Sequence, residues 1–145
     1  MAGIEVTAVV TNTARQRHAQ QLVTGKSFQI KYFVVGSEGH DPSDPLVALS
    51  PDPSLTELPG TVFGEEPVDG SGYLSSTCPY WTCIVEMAEA VGAQVSSIGL
   101  VAEIIDNGTD PINEVGTTFL YALANMPLAV KTSNAQFTFT VGIQL

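Results

Sequence analysis

Few residue types in this chain lend themselves to chemistry. His18, His40, Cys78 and Cys83 are its only imidazole and thiol side chains, and they are scattered along the sequence. A structural zinc site needs clustered N and S ligands at short spacing, so no metal site is expected. On helical spacing His18 shares a face with Ala14 and Leu22, which favours packing over ligation. His40-Asp41 with Asp44 lacks the alternating carboxylates of a calcium loop and reads as a turn built by Asp-Pro. Cys78 and Cys83 straddle Pro79 and do not form a redox C-x-x-C. Cys83 lies in an alternating run and reads as a small buried hydrophobe. Ser96-Ser97-Ile98-Gly99 is not a nucleophile elbow, and no histidine follows residue 40 to act as base. The acid pairs Glu65-Glu66 and Glu86 with Glu89 read as hydrophilic surface rather than as a glycosidase pair. Gly70-Ser71-Gly72 lacks the lysine of a phosphate cradle, and Asn107-Gly108-Thr109 matches only the short glycosylation sequon. These residues predict neither catalysis nor a bound metal or cofactor. The expectation is a protein that is not an enzyme.

Charge narrows the range of partners. Five Lys and Arg stand against fifteen Asp and Glu, a net charge of -10. Arg15, Arg17, Lys26, Lys31 and Lys131 are all the cations, and none falls between Tyr32 and Val130. Nucleic-acid binding requires a basic surface against phosphate, which this chain cannot supply, so nucleic acid is excluded as a partner and anionic membrane surfaces are disfavoured for the same reason. No run of about 18 apolar residues is present, which excludes a membrane-spanning helix. The opening MAGIEVTAVV carries Glu5 and no Lys or Arg, unlike a secretory leader. With 44% hydrophobic and only 14% charged residues over 145 positions, the chain is expected to fold as one domain, 1–145.

The elements follow from periodicity. Ile4, Val6, Ala8 and Val10 alternate as a strand. Thr13-Ala14-Arg15-Gln16 fits a capping box, and Gly25 supplies a left-handed stop, so a helix is predicted over about 13–24. Its weak apolar stripe of Ala14, Ala19, Leu22 and Val23 predicts shallow packing on a sheet. Ser27 to Val35 reads as a strand with Phe28, Ile30, Tyr32 and Val34 on one face, and with both faces buried near its end. Residues 36–72 hold six prolines, six glycines, eight acids and no cation, which predicts a long loop without regular sheet. Its apolar side chains, including Leu46, Val47, Leu49, Leu55, Leu58, Val62 and Phe63, must pack on this domain's flank or on another subunit. The remainder, 73–145, reads as β. Trp81, Cys83, Val85 and Met87 alternate, so strand is preferred there to a helix over 84–91. Val95 to Ile105, Thr117 to Ala124 and the alternating run from Phe137 to Leu145 are three further strands. The fold class is therefore mainly β (α+β): an antiparallel sheet or sandwich with one N-terminal helix and a long Pro/Gly-rich loop.

Three stretches carry a resemblance to a family. Val10-Thr11-Asn12-Thr13-Ala14 opens the helix and leads, past Gly25, to Ile30-Lys31-Tyr32-Phe33-Val34-Val35-Gly36 and the Gly39 turn. Val95-Ser96-Ser97-Ile98-Gly99-Leu100 is the second, with Ser97 where the family often carries Glu. The third runs from Gly116 through Phe119-Leu120-Tyr121-Ala122-Leu123-Ala124-Asn125-Met126-Pro127 to Lys131-Thr132. Together they resemble the N-terminal domain of phage tail-collar fibre proteins and baseplate-attached fibre adaptors. In that family long fibrous repeats and a receptor-binding tip follow this domain. The resemblance implies a virion structural protein of a bacteriophage tail, a fibre or baseplate adaptor at the proximal part of the tail fibres. It also implies self-association as a homotrimer, contact with other tail, baseplate or fibre proteins, and a place in the virion tail.

The residues themselves suggest how such a module docks. Arg15 and Arg17 are two apart on the helix and project about 200° apart. One is expected to cover the domain's own acidic surface while the other meets an acidic neighbour. Leu46, Leu49, Leu55, Leu58 and Phe63 are the apolar docking candidates. A second reading, a host-surface carbohydrate- or peptide-binding β-domain, rests on Tyr73, Tyr80 and Trp81 as stacking side chains.

Overall fold

The computed structural model describes residues 2–86, 89, 91–134 and 136–145; the side chains of Ala2, Val62 and Phe63 lie outside that description. Strand β1 (Ala2–Val10) leads into helix α1 (Asn12–Thr24) and then β2 (Ser27–Gly36). A short arm follows, made of β3 (His40–Asp41) and β4 (Asp44–Ala48). Next come β5 (Thr61–Pro67), β6 (Gly70–Ser75), β7 (Cys78–Val85), β8 (Gln94–Asp106), β9 (Thr118–Val130) and β10 (Phe137–Ile143). The main sheet has eight strands in the order β5-β2-β8-β9-β1-β10-β7-β6, and β3 pairs only with β4. Among the described residues the fold is mainly β with one helix.

Most neighbours are antiparallel; β1 and β10 run parallel from Ala2–Phe137 to Ala8–Ile143. The last two residues of β1, Val9 and Val10, leave β10 and pair with Leu123 and Ala122 of β9. One strand thereby joins the two halves of the sheet. At the far ends, edge strands β5 and β6 are separated in sequence by Val68 and Asp69 alone. So short a connection brings the two edges together, and the sheet curls around one core.

That core is filled from both halves. Phe33 and Val35 of β2, Ile98, Leu100 and Ile104 of β8, and Phe139, Val141 and Ile143 of β10 are fully buried in it. Cys83 and Val85 of β7 join them. Strict alternation along β10 sends its aromatic and branched residues inward, as its sequence predicts.

β2 departs from the expected alternation. The pairing with β8 slips between Ile30 and Tyr32, so Phe28 and Ile30 face the same core as Phe33 and Val35. Tyr32 and Val34 face the opposite side, against Leu58, Val101, Leu120 and Leu123. A bulge at Lys31 changes the parity, which period-two reading cannot register. Burial of both faces near the strand end is observed. A larger irregularity occurs in β9, where Ala129 pairs with Val95 and Asn125 with Ser97. Met126, Pro127 and Leu128 thus oppose Ser96 alone, and Pro127 sits where no ladder N–H is required.

Two further expectations are corrected. Regular sheet does form within 36–72: β3, β4 and β5 lie there, and Pro45 and Pro67 are tolerated because β4 and β5 are edge strands. The helix cap is Thr11, whose side chain accepts the Ala14 N–H and donates to the Leu120 carbonyl, rather than Thr13. Gly25 closes the helix at φ 75°, the left-handed conformation anticipated. Only Ala14 of the apolar stripe is buried; Leu22 and Val23 are exposed. His18 packs edge-on to Phe28 and Tyr121, and its Nε2 lies 2.9 Å from the Tyr121 hydroxyl. Met87 lies outside the described residues.

Replacing Phe139 by alanine removes a fully buried ring at the centre of this core. It should lower unfolding stability by about 3–5 kcal/mol in chemical denaturation, whereas Leu22→Ser should change it by less than about 0.5 kcal/mol.

Candidate functional site

Apolar side chains on both faces of β8 and β9 require an outer layer, and residues 36–60 provide it. Leu58 is buried against Val101, Leu120 and Leu123, with Leu55 partly buried beside it. Backbone and side-chain hydrogen bonds pin the layer at several points. Asn12 N–H donates to the Pro53 carbonyl, Ser37 N–H to that of Gly60, and Leu49 N–H to that of Gly39. The Asn125 side-chain amide donates to the Leu49 carbonyl. Gly39 packs so tightly on β8 that a Cβ would collide with the Ser96 carbonyl, so no other residue fits there.

The structure brings His40 and Ser96 together, a pairing that 56 residues of separation hide from sequence reading. His40 Nδ1 lies 2.9 Å from Ser96 Oγ, which also accepts the Gly39 N–H. A serine nucleophile must meet its substrate, and Ser96 is fully buried. The pair clamps the β3–β4 arm to β8.

The docking candidates divide into groups. Leu49, Leu55 and Leu58 converge on one cleft of about 130 Å³, closed on its inner side by Ser97, Leu123 and Asn125. Leu58 is covered by the chain itself and offers the cleft little more than a wall. Leu46 stands on β4, every residue of which is exposed, and is itself 78% exposed. Phe63 belongs to β5, where its backbone pairs with Val35; its side chain is not described. Arg15 is exposed and forms no ion pair with a described residue.

Arg17 is committed internally. It bridges Glu114 at 2.9 Å and lies over the Phe119 ring. Lys26, almost wholly buried, contacts both Asp110 and Glu114 at 2.7 Å. The four charges fasten the β8–β9 connection to the helix. Hydrogen bonds from Arg17 and then Lys26 pull the Glu114 carboxyl down to about 2 from its ordinary 4.5, and Lys26 likewise lowers Asp110. Lys31 pairs with Glu103, and the buried Lys131 donates to the Thr132 carbonyl. Four of five cations are thus engaged within the chain, leaving an outward surface dominated by carboxylates. No local spacing signals this network, because Lys26 is 84 and 88 residues from Asp110 and Glu114.

Elsewhere, Trp81 is half-buried at the floor of an open recess with Phe28, Ile30 and Tyr121. Exposed Tyr73 borders a second, of about 200 Å³, with Tyr80 and Trp81. Among the described residues no group of His, Cys, Asp and Glu is arranged to hold a metal ion. Cys83 is fully buried, and burial pushes its thiol up to about 12. No described helix is long and apolar enough to cross a membrane. Comparison with known proteins returns no matching family model, no matching curated protein and no matching solved structure.

Two outcomes follow from these environments. Because Glu114 and Asp110 are depressed, their stabilisation is complete above their unfolded values of 4.5 and 3.8; that of Glu114 is lost as pH falls through about 2, and that of Asp110 as pH falls through its own lowered value. Glu66, raised by burial, has the opposite sign. Unfolding stability measured from pH 5 down to pH 2 should decline less steeply in Glu114→Gln than in the native chain. In alkylation of the folded protein at neutral pH, Cys78 should react and Cys83 should stay unmodified until the chain unfolds.

Proposed function

We propose that this chain is a virion structural protein of a bacteriophage tail, a fibre or baseplate adaptor that works by contact rather than turnover. The observation that carries the reading is the arm on the outer layer. β4 lays Leu46 and Val47 open to solvent on a paired, clamped strand, next to a cleft whose walls are further leucines. A soluble domain gains nothing from ordering exposed leucines on an edge strand unless another chain covers them. The three-part sequence resemblance supplies the phage-tail context and the trimeric expectation.

On this reading the arm mediates self-association, while the acidic exterior selects other tail proteins with basic surfaces. Among the described residues Arg15 forms no ion pair and is exposed, so it remains a contact for an acidic neighbour. Arg17 is withdrawn from that role by Glu114. The carbohydrate reading is favoured by one specific feature, the recess bordered by Tyr73, Tyr80 and Trp81, which presents aromatic faces to solvent.

Sedimentation at tens of micromolar should show an assembly of about three 15.3 kDa chains. Leu46→Asp should dissociate it without changing the circular dichroism spectrum. A native chain that sediments only as a monomer and binds glycans through Tyr73 would replace the adaptor reading with the carbohydrate one.

A further inference from the structure

We propose that the opening between β2 and β6 receives an extended segment of a basic partner polypeptide. The segment adds a strand beside β2 and seats alternate apolar side chains in the recess behind it. This surface is distinct from the β4 arm, so the inference goes beyond the adaptor reading and does not rest on it.

The opening arises from the way the sheet closes. β5 pairs with β2 only from Tyr32–Pro67 to Gly36–Thr61. Past Pro67 the chain crosses to β7, where the Asp69 N–H donates to the Thr82 carbonyl, and β6 pairs with β7 from Gly70–Thr82 onward. Residues 27–31 of β2 therefore have β8 on one side and, among the described residues, no strand on the other. β6 is the other edge of the same sheet.

Both edges offer backbone groups. In an antiparallel ladder, opposed residues alternately exchange two hydrogen bonds or turn their groups away from each other. The Ile104 N–H donates to the Thr117 carbonyl and its own carbonyl accepts the Gly116 N–H, both on the β9 side. Its β2 partner Phe28 therefore turns its N–H and C=O away from β8, and so does Ile30, two residues on in the same register. On the far edge the Thr82 carbonyl faces β6, so Gly70 and Gly72 take the bonded positions while Ser71 and Tyr73 turn their groups outward. Among the described residues nothing pairs with these outward groups. Proline and charge are common means of keeping an edge from pairing, and Pro45 and Pro67 stand on β4 and β5. Residues 27–30 and 70–75 contain neither proline nor charge, and Lys31, just beyond, is paired with Glu103.

Behind the opening the core is incompletely covered. Phe28, Ile30, Val68 and Trp81 pack against it yet are only partly buried. With Tyr121 and Ser71 they line a recess of about 360 Å³. A strand laid beside β2 points every second side chain to the face of Phe28 and Ile30, and so into this recess. A compact apolar ligand would fill the recess but leave the backbone groups of Phe28 and Ile30 unmatched; an extended peptide meets both. Charge sets the sign of the peptide. Glu65 and Asp69 are exposed on either side of Val68 in the chain, and the net charge is -10. A basic segment is attracted, whereas the chain's own β4 arm, with Asp41 and Asp44, is repelled.

The probe is the capped peptide acetyl-Lys-Phe-Thr-Leu-Thr-Phe-Lys-amide, titrated into the isotope-labelled full chain. In the free chain the Phe28 and Ile30 amides should exchange as exposed amides do, while that of Gln29 is protected by β8. Peptide at about ten times its dissociation constant should slow exchange at Phe28 and Ile30 about tenfold. Saturable amide shifts should concentrate there and at Val68, Ser71 and Trp81. Ser71→Phe, which fills the recess from an exposed position, should weaken binding by about tenfold or more without changing the circular dichroism spectrum. N-methylation of alternate peptide residues should abolish binding for at least one of the two alternations, because it deletes pairing along one edge. The proposal is overturned if the shifts are unsaturable or lie on the 36–60 layer, or if both methylated peptides bind as the parent does. It is also overturned if Ser71→Phe binds equally, or if Phe28 and Ile30 are already protected in the dilute free chain. Protection that rises with the concentration of the chain alone would make the occupant a second copy and overturn it as well. None of these readouts involves Leu46 or the sedimentation of a trimer, so failure here and failure of the adaptor reading are separate results.

Discussion

The structure depends on the fact that β8 and β9 are apolar on both faces. Ile98, Leu100 and Ile104 point into the curled core, while Val101, Leu120 and Leu123 point out of it. A sheet with two apolar faces must be covered twice. The inner face is covered by β1, β7 and β10 through the parallel β1–β10 pair. Residues 36–60, which carry too many prolines to form a long strand, cover the outer one. Leu55 and Leu58 anchor this covering, and hydrogen bonds at Asn12, Gly39 and Asn125 hold it in place. The cleft and the exposed arm both exist because an irregular segment, not a helix or sheet, performs the covering.

Electrostatics reinforces the same division between inside and outside. The few cations are spent on internal fastening: Arg17 and Lys26 hold the β8–β9 connection against the helix, and Lys31 pairs across to Glu103. Carboxylates without such partners remain at the surface. A domain arranged in this way repels its own kind at long range and attracts basic proteins. On the adaptor reading we propose, self-association rests on short-range apolar contact at the β4 arm and heterologous docking on charge.

Much of the fold was legible in the sequence, because its signals were local. Alternation along β10, the stop at Gly25 and the preference for strand over helix at Trp81 to Val85 all survive in the structure. Failures occurred where one residue changes parity or where contacts span the chain. The bulge at Lys31 moves Tyr32 and Val34 to the outer face, and Thr11 rather than Thr13 caps the helix because it also reaches the Leu120 carbonyl. Prolines in 36–72 argued against sheet, yet Pro45 and Pro67 occupy edge strands that need no donor. For the site, the leucines of 36–58 were visible as unpartnered apolar residues. Their convergence on Ser97 and Asn125, and the His40–Ser96 clamp, depend on pairings no spacing rule encodes.

The central claim is that residues 36–60 are an integral layer of the folded chain and not a tether that orders only on a partner. Amide hydrogen exchange on the isolated protein tests it most directly. The account predicts that the N–H groups of Asn12, Ser37, Gly39 and Leu49, each with a named acceptor, exchange far more slowly than exposed amides such as that of Thr56. Exchange of all four at the rate of an unstructured chain, with β8 and β10 still protected, would contradict it.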